Sequence, residues 1–505
     1  MSTTARRRPR ALLVAGTTSD AGKSVLTTGL CRALRRRGLR VAPYKAQNMS
    51  NNSMVTVDWA EIGRAQWVQA IAAGADPEAA MNPVLLKPGS DRRSHVVVMG
   101  KPHGQLEAGE FAGGRTELSR AAFAAFDDLA ARYDVVVCEG AGSPAEINLR
   151  RHDYVNMGLA RHGRIPTVVV GDIDRGGVFA AMHGTLALLD RADQALVSGF
   201  VVNKFRGDVD LLRPGLRTLE ELTARPVLGV LPWQSDLWLD SEDALALESR
   251  PKHEPSSTGA RLRIAVVVLP RVSNFTDVDA LCLEPGAEVT FVRDRRGLDD
   301  VDVVVLPGTR STLDDLAWLR GRGLAEAVVS HATRGGVVLG ICGGFQMLGR
   351  SVEDPDGVEG PPGASVPGLG LLDVRTRFER DKVLRLPRGV TLGVHADGYE
   401  IHHGRVTVGD ATPFLGGARS GAVFGTMWHG SLEGDALRRA WLAEAAALCG
   451  LEGFVPGTAS FANARQRRID DLADAVEEHL DLERVMTLIE QGAPPGLPHV
   501  TGGLA

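Results

Sequence analysis

The chain has 505 residues, too many for one ordinary core, so roughly two or three domains are expected. Its 62 acidic and 57 basic side chains leave a net charge of only -5, without the basic excess that a nucleic-acid backbone partner calls for. Five cysteines (Cys31, Cys138, Cys282, Cys342 and Cys449) stand far apart, which argues against a disulfide framework or a cysteine-rich metal site; with no apolar signal core and no bilayer-length run, a cytoplasmic, non-membrane protein is expected.

The first expected element is a short apolar strand at residues 11–15, followed at once by a glycine-rich turn and a helical pattern. Further apolar bursts at 133–138, 167–170, 195–202 and 227–230, mostly separated by helical segments, predict a parallel sheet. Residues 249–259 read as a linker. A second α/β series follows, with strands at 263–269, 301–306, 336–339 and 421–427. Residues 354–370, rich in proline and glycine, read as a loop; helices are expected at 434–449 and 468–490, with a mobile tail from Gly492. The expected organisation is an α/β ATPase domain with a parallel sheet at 1–250 and a linker at 251–260. A second α/β domain covers 261–450, a helical extension 451–491 and a flexible tail 492–505.

Gly16-Thr-Thr-Ser-Asp-Ala-Gly-Lys-Ser24 sits between the first strand and the first helix. Successive backbone N–H groups and a helix N-terminus there receive phosphate oxygens, so Gly16, Thr17, Asp20, Gly22, Lys23 and Ser24 are candidate ATP contacts. The loop is one residue longer than the ordinary P-loop when Gly16 is counted as its first glycine. Mg²⁺ needs hard oxygen ligands, for which Ser24, Asp58 and Glu139 are the candidates. Two polar clusters after strands offer acceptor contacts: Lys45, Gln47, Asn48 and Asn51 in one, and Asn203 with Lys204, equally suited to the nucleotide, in the other. Asp172, Asp174 and Arg175 follow a further strand and are candidates for the same role.

In the second series an apolar strand runs into Gly340-Ile-Cys-Gly-Gly-Phe-Gln346. A cysteine on a tight turn before a helix N-terminus has the setting of an activated thiolate. His402, His403 and His429 are candidate bases for it, and His429 is favoured because it follows an expected strand. Gly343 and Gly308, the latter after the strand at 301–306, are candidate sources of oxyanion N–H groups. No carboxylate stands two residues after His429, and neither Glu400 nor Glu433 is a secure third member.

Taken together, these motifs resemble the glutamine-dependent cobyric acid synthase family. The loop is similar to that of dethiobiotin-synthetase-like ATPases, and the cysteine region to class I glutamine amidotransferases. The resemblance rests also on Pro43-Tyr-Lys-Ala-Gln-Asn-Met-Ser-Asn-Asn52, Glu61-Ile-Gly-Arg-Ala-Gln66, Asn82-Pro-Val-Leu-Leu-Lys-Pro88, Gly171-Asp-Ile-Asp-Arg-Gly-Gly177 and Asn203-Lys-Phe-Arg-Gly-Asp208. It implies a P-loop ATPase domain followed by an amidotransferase domain, with ATP and Mg²⁺ as cofactors. L-glutamine and a corrinoid polycarboxylic acid are the implied substrates, Cys342 the glutaminase nucleophile and His429 its base. The implied reaction amidates the b, d, e and g carboxylates of adenosylcobyrinic acid a,c-diamide. A cobyrinic acid a,c-diamide synthase, or a P-loop switch carrying a non-catalytic binding domain, are the alternatives. Trp59, after Asp58, and Trp428, before His429, depart from the family pattern.

Overall fold

The computed structural model describes residues 8–89, 93–107, 111–234, 240 and 260–501. The first domain is built on six parallel strands. Their order is Val227–Pro232, Val197–Phe205, Thr167–Asp172, Ala11–Gly16, Val135–Glu139 and Val41–Tyr44. Ala11–Gly16 is buried on both faces, as a continuous aliphatic run in a covered parallel sheet must be. The strand period of two sorts its side chains. Leu13 and Ala15 face a core with Phe126, Leu129 and Met182. Leu12 and Val14 face the opposite core, with Leu26, Leu30, Ile469 and Val476.

That second core includes residues near the far end of the chain. The sequence pattern at 468–490 predicts one helix in a C-terminal helical extension. The structure has two, Phe461–His479 and Leu482–Gln491, and both return to the ATPase sheet. The break falls at Leu480 and Asp481, where Asp481 accepts a hydrogen bond from Arg484 N at 3.0 Å and caps the second helix. Phe461–His479 lies along Lys23–Arg36 so closely that a Cβ on Gly29 would meet Leu472 O at 2.7 Å. The tail is tied down through Val500, contrary to the mobile segment expected from Gly492. Arg225 donates to Pro498 O at 2.6 Å, Val500 N donates to Gln194 Oε1 at 2.9 Å, and Val500 is buried. The expected linker lies outside the described residues apart from position 260.

Between Val41–Tyr44 and the helix Phe111–Arg132 the chain builds a small unit that the sequence pattern does not announce. It holds a sheet of Gln47–Met49, Val84–Pro88, Arg93–Val98 and Lys101–Glu107, and the pair Ser53–Val55 and Glu61–Gly63.

The second domain carries seven strands, ordered Ala287–Val292, Leu262–Val267, Val303–Leu306, Val337–Ile341, Val423–Thr426, Gly417–Ser420 and Thr412–Phe414. The first five are parallel and the last two antiparallel. A four-stranded sheet sits beside it, made of Ala364–Pro367, Ser351–Asp354, Val374–Arg385 and Glu400–Val408. Ala364–Pro367 falls within the stretch expected to be loop throughout. No helix among the described residues is long and apolar enough to cross a membrane.

Candidate active sites

The phosphate loop leaves the end of Ala11–Gly16 and is anchored by Thr17 N donating to Val170 O at 2.9 Å. Gly22 begins the helix at φ 99°, where a Cβ would lie 1.9 Å from Asn203 Nδ2, so only glycine fits. Asn203 Nδ2 donates to Ala21 O at 2.9 Å and buttresses the loop from the neighbouring strand. Lys23 Nζ donates to Thr18 O, Ser19 O and Gly142 O at 2.8, 3.0 and 3.1 Å, so its ammonium is held across the loop. A cavity of about 420 Å³ opens here, lined by Asp20, Lys23, Ser24, Lys45, Asn48 and Glu139 among others.

Glu139, at the carboxyl end of its strand, is buried. Its Oε1 accepts from Ser24 Oγ and from Lys45 Nζ, both at 2.8 Å, and its Oε2 from Gln69 Nε2 at 2.5 Å. Burial opposes its charge, but the Lys45 ammonium and the Gln69 and Ser24 hydrogen bonds outweigh it and hold the acid below its ordinary range. A hydroxyl and an ionised carboxylate side by side at a phosphate loop are the hard oxygen donors that Mg²⁺ takes. Asp58 does not join them. It stands on the exposed turn between Ser53–Val55 and Glu61–Gly63, accepts from Thr56 Oγ1 at 2.5 Å, and is not among the residues lining the cavity. Local turn chemistry accounts for its position.

The expected acceptor cluster divides. Lys45 and Asn48 line the phosphate cavity. Gln47 accepts from Tyr154 OH at 2.5 Å, and Asn51 Nδ2 donates to Pro88 O at 3.2 Å. Asp172, Asp174, Arg175 and Lys204 come together beside the loop as an ion-pair network. Arg175 donates to Asp20 and Lys204 to Asp172, each at 2.8 Å, while Asp174 N donates to Asp172 Oδ1 at 2.9 Å.

In the second domain Val337–Ile341 ends at Cys342, whose backbone is at φ 50°, ψ -107° before the helix Gly343–Leu348. A non-glycine residue in this region is strained and is held there by its surroundings; Cys342 N donates to Thr426 O at 2.7 Å. His429 lies beyond the adjacent strand and lines the same pocket as Cys342. Its Nδ1 is 2.7 Å from Asp277 Oδ2, and Asp277 Oδ1 accepts from Gly430 N at 2.7 Å. With Nδ1 committed to the carboxylate, Nε2 is the atom that faces the thiol. All three side chains are buried, and the Tyr399 ring stacks on the imidazole at 5.4 Å. Burial disfavours the imidazolium, but Asp277 and then Cys342 prevail and raise its pKa to about 10.

Asp277 is the third member that the sequence did not reveal. It sits on a short 3-10 turn, Phe275–Val278, 152 positions before His429, and no local spacing links the two. The carboxylates weighed for the role are elsewhere. Glu433 accepts from Arg64 and Arg465 at 2.6 and 2.8 Å, and Glu400 lies 4.0 Å from His402 Nε2. Gly308 and Gly343 both border the elbow. A Cβ on Gly308 would lie 2.8 Å from His429 Cε1, and one on Gly343 2.6 Å from Thr309 Cγ2. His402 and His403 line the same pocket as Cys342. Burial, then the Lys382 and Arg310 cations, press His403 down to about 3.

The two sites meet through the small unit of the first domain. Glu61 is buried and accepts from Lys87 Nζ at 2.7 Å, from Ser53 Oγ at 2.9 Å, and from Lys382 of the second domain. Asn274 Nδ2 donates to Ser53 O at 3.1 Å and to Tyr399 OH at 3.0 Å. Lys87, Asn274 and Lys382 all line the Cys342 pocket.

Two family models match the chain on either side of the expected linker. Residues 12–246 match a CobQ/CobB/MinD/ParA nucleotide binding domain, and residues 263–437 a CobB/CobQ-like glutamine amidotransferase domain. The chain is 66% identical over 497 residues to the cobyric acid synthase of Mycobacterium marinum, covering 97% of this chain and 99% of that one. It is 65% identical over 499 residues to that of Mycobacterium tuberculosis, with the same coverage. A loop built for nucleotide phosphates, a cysteine–histidine–aspartate constellation and this near-complete likeness agree: the chain belongs to the cobyric acid synthase family.

Proposed function

We propose that the chain converts adenosylcobyrinic acid a,c-diamide to adenosylcobyric acid by ATP- and glutamine-dependent amidation of the b, d, e and g carboxylates. The observation that carries this reading is the buried Cys342–His429–Asp277 constellation in one chain with the Lys23–Ser24–Glu139 phosphate site. A carboxylate resists attack by ammonia because oxide is a poor leaving group. Transfer of the terminal phosphoryl of ATP to its oxygen makes phosphate the leaving group instead. Lys23 and the helix N-terminus behind it bind and orient the nucleotide phosphates. Ser24 and Glu139 would hold Mg²⁺, which when bound offsets the charge on the phosphates.

In the second domain the Cys342 sulfur forms a bond to the carboxamide carbon of glutamine. As the C–N bond breaks, His429 Nε2 delivers the proton that lets nitrogen leave as ammonia. Water then attacks the resulting thioester, with His429 taking its proton, and glutamate and free Cys342 result. Asp277 holds the ring so that Nε2 stays directed at sulfur. Ammonia attacks the activated carboxyl of the corrinoid and expels phosphate.

Mass analysis of products from adenosylcobyrinic acid a,c-diamide with ATP, Mg²⁺ and glutamine tests this reading. Amidation at b, d, e and g is expected. A chain that leaves this substrate unchanged and amidates cobyrinic acid only at a and c would overturn it.

A further inference from the structure

The Cys342 pocket holds charges that thiol chemistry does not use. Arg310, Glu359 and His402 line it together with Cys342 and His429. The Arg310 and Glu359 side chains are only 10% and 6% exposed, yet Nη1 and Oε1 are 3.4 Å apart, near the limit of a hydrogen bond. The other oxygen of Glu359 accepts from Thr312 N at 2.8 Å. The backbone that carries Glu359 is fixed, because buried Asp354 accepts from the N–H groups of Val358, Glu359 and Gly360 at 2.8, 2.9 and 2.8 Å. The acid is therefore placed by the fold.

A buried pair serving structure alone looks different in this same domain. Arg438 donates to Glu284 at 2.6 Å, to Asp435 at 2.9 Å, and to the carbonyls of Leu432 and Ala459 at 3.1 and 2.9 Å. Arg310, by contrast, makes one long side-chain hydrogen bond among the described residues. Burial, only partly offset by Arg310 and Thr312, pushes Glu359 up to about 7, so its carboxylate gains from acquiring another cation. His402 adds a second unmet demand. Its Nδ1 is 2.8 Å from Gly404 O, which can only accept, so the proton is on Nδ1. Nε2 is then an acceptor, and it has no hydrogen-bond partner among the described residues although the side chain is only 9% exposed. The other two cations of the pocket, Lys87 and Lys382, are both paired with Glu61.

Glutamine presents a neutral carboxamide at one end, and an ammonium and a carboxylate on one carbon at the other. Burying that zwitterion requires one cation and one anion close together, since either charge left unpaired in the pocket is strongly disfavoured. An adjacent arginine and glutamate, loosely joined, can exchange their mutual contact for the two ligand charges with no change in net charge. We propose that Arg310 and Glu359 bind the amino-acid head of glutamine, Arg310 the α-carboxylate and Glu359 the α-ammonium, and so direct the carboxamide to Cys342. The proposal rests on Cys342 being the glutaminase nucleophile. His402 Nε2 accepts a further N–H of the same ligand.

The test is steady-state hydrolysis of three amides by the full-length enzyme. They are glutamine, 4-carbamoylbutanoate, which lacks the ammonium, and 4-aminobutanamide, which lacks the carboxylate. Glu359→Gln is expected to raise KM for glutamine about 10- to 100-fold, with kcat changed less than about threefold. The preference for glutamine over 4-carbamoylbutanoate should fall by the same factor. Arg310→Gln is expected to erode the preference over 4-aminobutanamide instead, and Glu359→Asp should fall between wild type and Glu359→Gln. Amidation driven by ammonium salts reports that each variant is folded. An unchanged KM in Glu359→Gln, or in Glu359→Asp should the first not fold, overturns the proposal. So does a fall in kcat with the preference among amides intact, which is the mark of a merely structural role. A wild-type enzyme that hydrolyses no glutamine would overturn the nucleophile assignment as well, and is thereby distinguished from the other failures.

Discussion

Asp277 Oδ2 lies 2.7 Å from Nδ1 of His429, and the same carboxylate accepts from Gly430 N at 2.7 Å. One acid thus fixes the ring, its tautomer and the backbone that carries it. Asp277→Asn keeps the size of the side chain but removes the charge that favours the imidazolium. The expected result is a fall in glutaminase kcat of roughly 10²- to 10⁴-fold, with amidation from ammonium salts retained. Glutamate release measured beside ammonium-driven amidation checks both halves.

Cys342→Ala is expected to abolish glutamine-driven amidation and to leave ammonium-driven amidation in place. The elbow should survive the change, because Cys342 N is tied to Thr426 O at 2.7 Å and the flanking strand is buried. Comparing amidation rates with the two nitrogen sources decides it; unchanged use of glutamine would remove the thiol from the mechanism.

The parts of both sites that could be read from sequence are those whose chemistry is contiguous in the chain. The loop from Gly16 to Ser24 and the turn around Cys342 each carry nucleation, backbone geometry and reactive group within one short segment. Asp277 could not be read in this way, because tertiary packing alone joins its turn to His429. Asp58 misled because a carboxylate near a phosphate loop in sequence is not thereby near it in space; Thr56 holds it in a turn. The C-terminal helices were visible as amphipathic, but amphipathicity does not say which sheet covers the apolar face. Their return to the first domain rests on packing between residues more than 400 positions apart, such as Ile469 and Val476 against Leu26 and Leu30. The small unit from Gln47 to Glu107 is hidden because its strands are partly polar, which dilutes the period-two signal, and Gln47–Met49 holds only three residues.

Glu61 serves two ammonium groups, Lys87 from its own domain and Lys382 from the other. Burial opposes its charge, but Lys382 and Lys87 together hold it far below the carboxylate range, while burial lowers Lys382 to about 8. Glu61→Gln would leave both ammonium groups buried without their counter-charge, at a cost of about 3–5 kcal/mol. A lowered unfolding midpoint is expected at neutral pH. Because the folded acid is depressed, its stabilisation is complete above its unfolded pKa of about 4.3 and is lost as pH falls below that. The gap between wild type and variant should therefore narrow in acid, as measured by thermal unfolding across pH.

His429 behaves in the opposite sense. Its folded pKa of about 10 lies above the ordinary 6.5. The stabilisation it gives is fully present below about 6.5 and declines as pH rises toward 10. Wild type should lose stability across that window relative to Asp277→Asn, in which the raising carboxylate is gone. Denaturant midpoints for the two proteins at several pH values would show parallel curves if the Asp277 charge were without effect.

Lys23 supplies the complementary experiment to Cys342. Its ammonium, held by Thr18 O, Ser19 O and Gly142 O, is the cation proposed to meet the nucleotide phosphates. Removing it affects a step that precedes any attack by nitrogen, so the source of ammonia should not matter. Lys23→Ala is expected to lower amidation at least about 100-fold from glutamine and from ammonium alike, a loss in the range seen when one charge-stabilising donor is removed. Glutamine hydrolysis should continue, since Cys342, His429 and Asp277 belong to the other domain and keep their contacts. Phosphate release, amide formation and glutamate release followed in one reaction separate the outcomes. Amidation from ammonium at an undiminished rate would mean that the loop does not activate the acid. Loss of glutaminase together with amidation would mean that nucleotide at the first site controls the thiol at the second, and the Glu61–Lys382 contact would be the first place to look for that control.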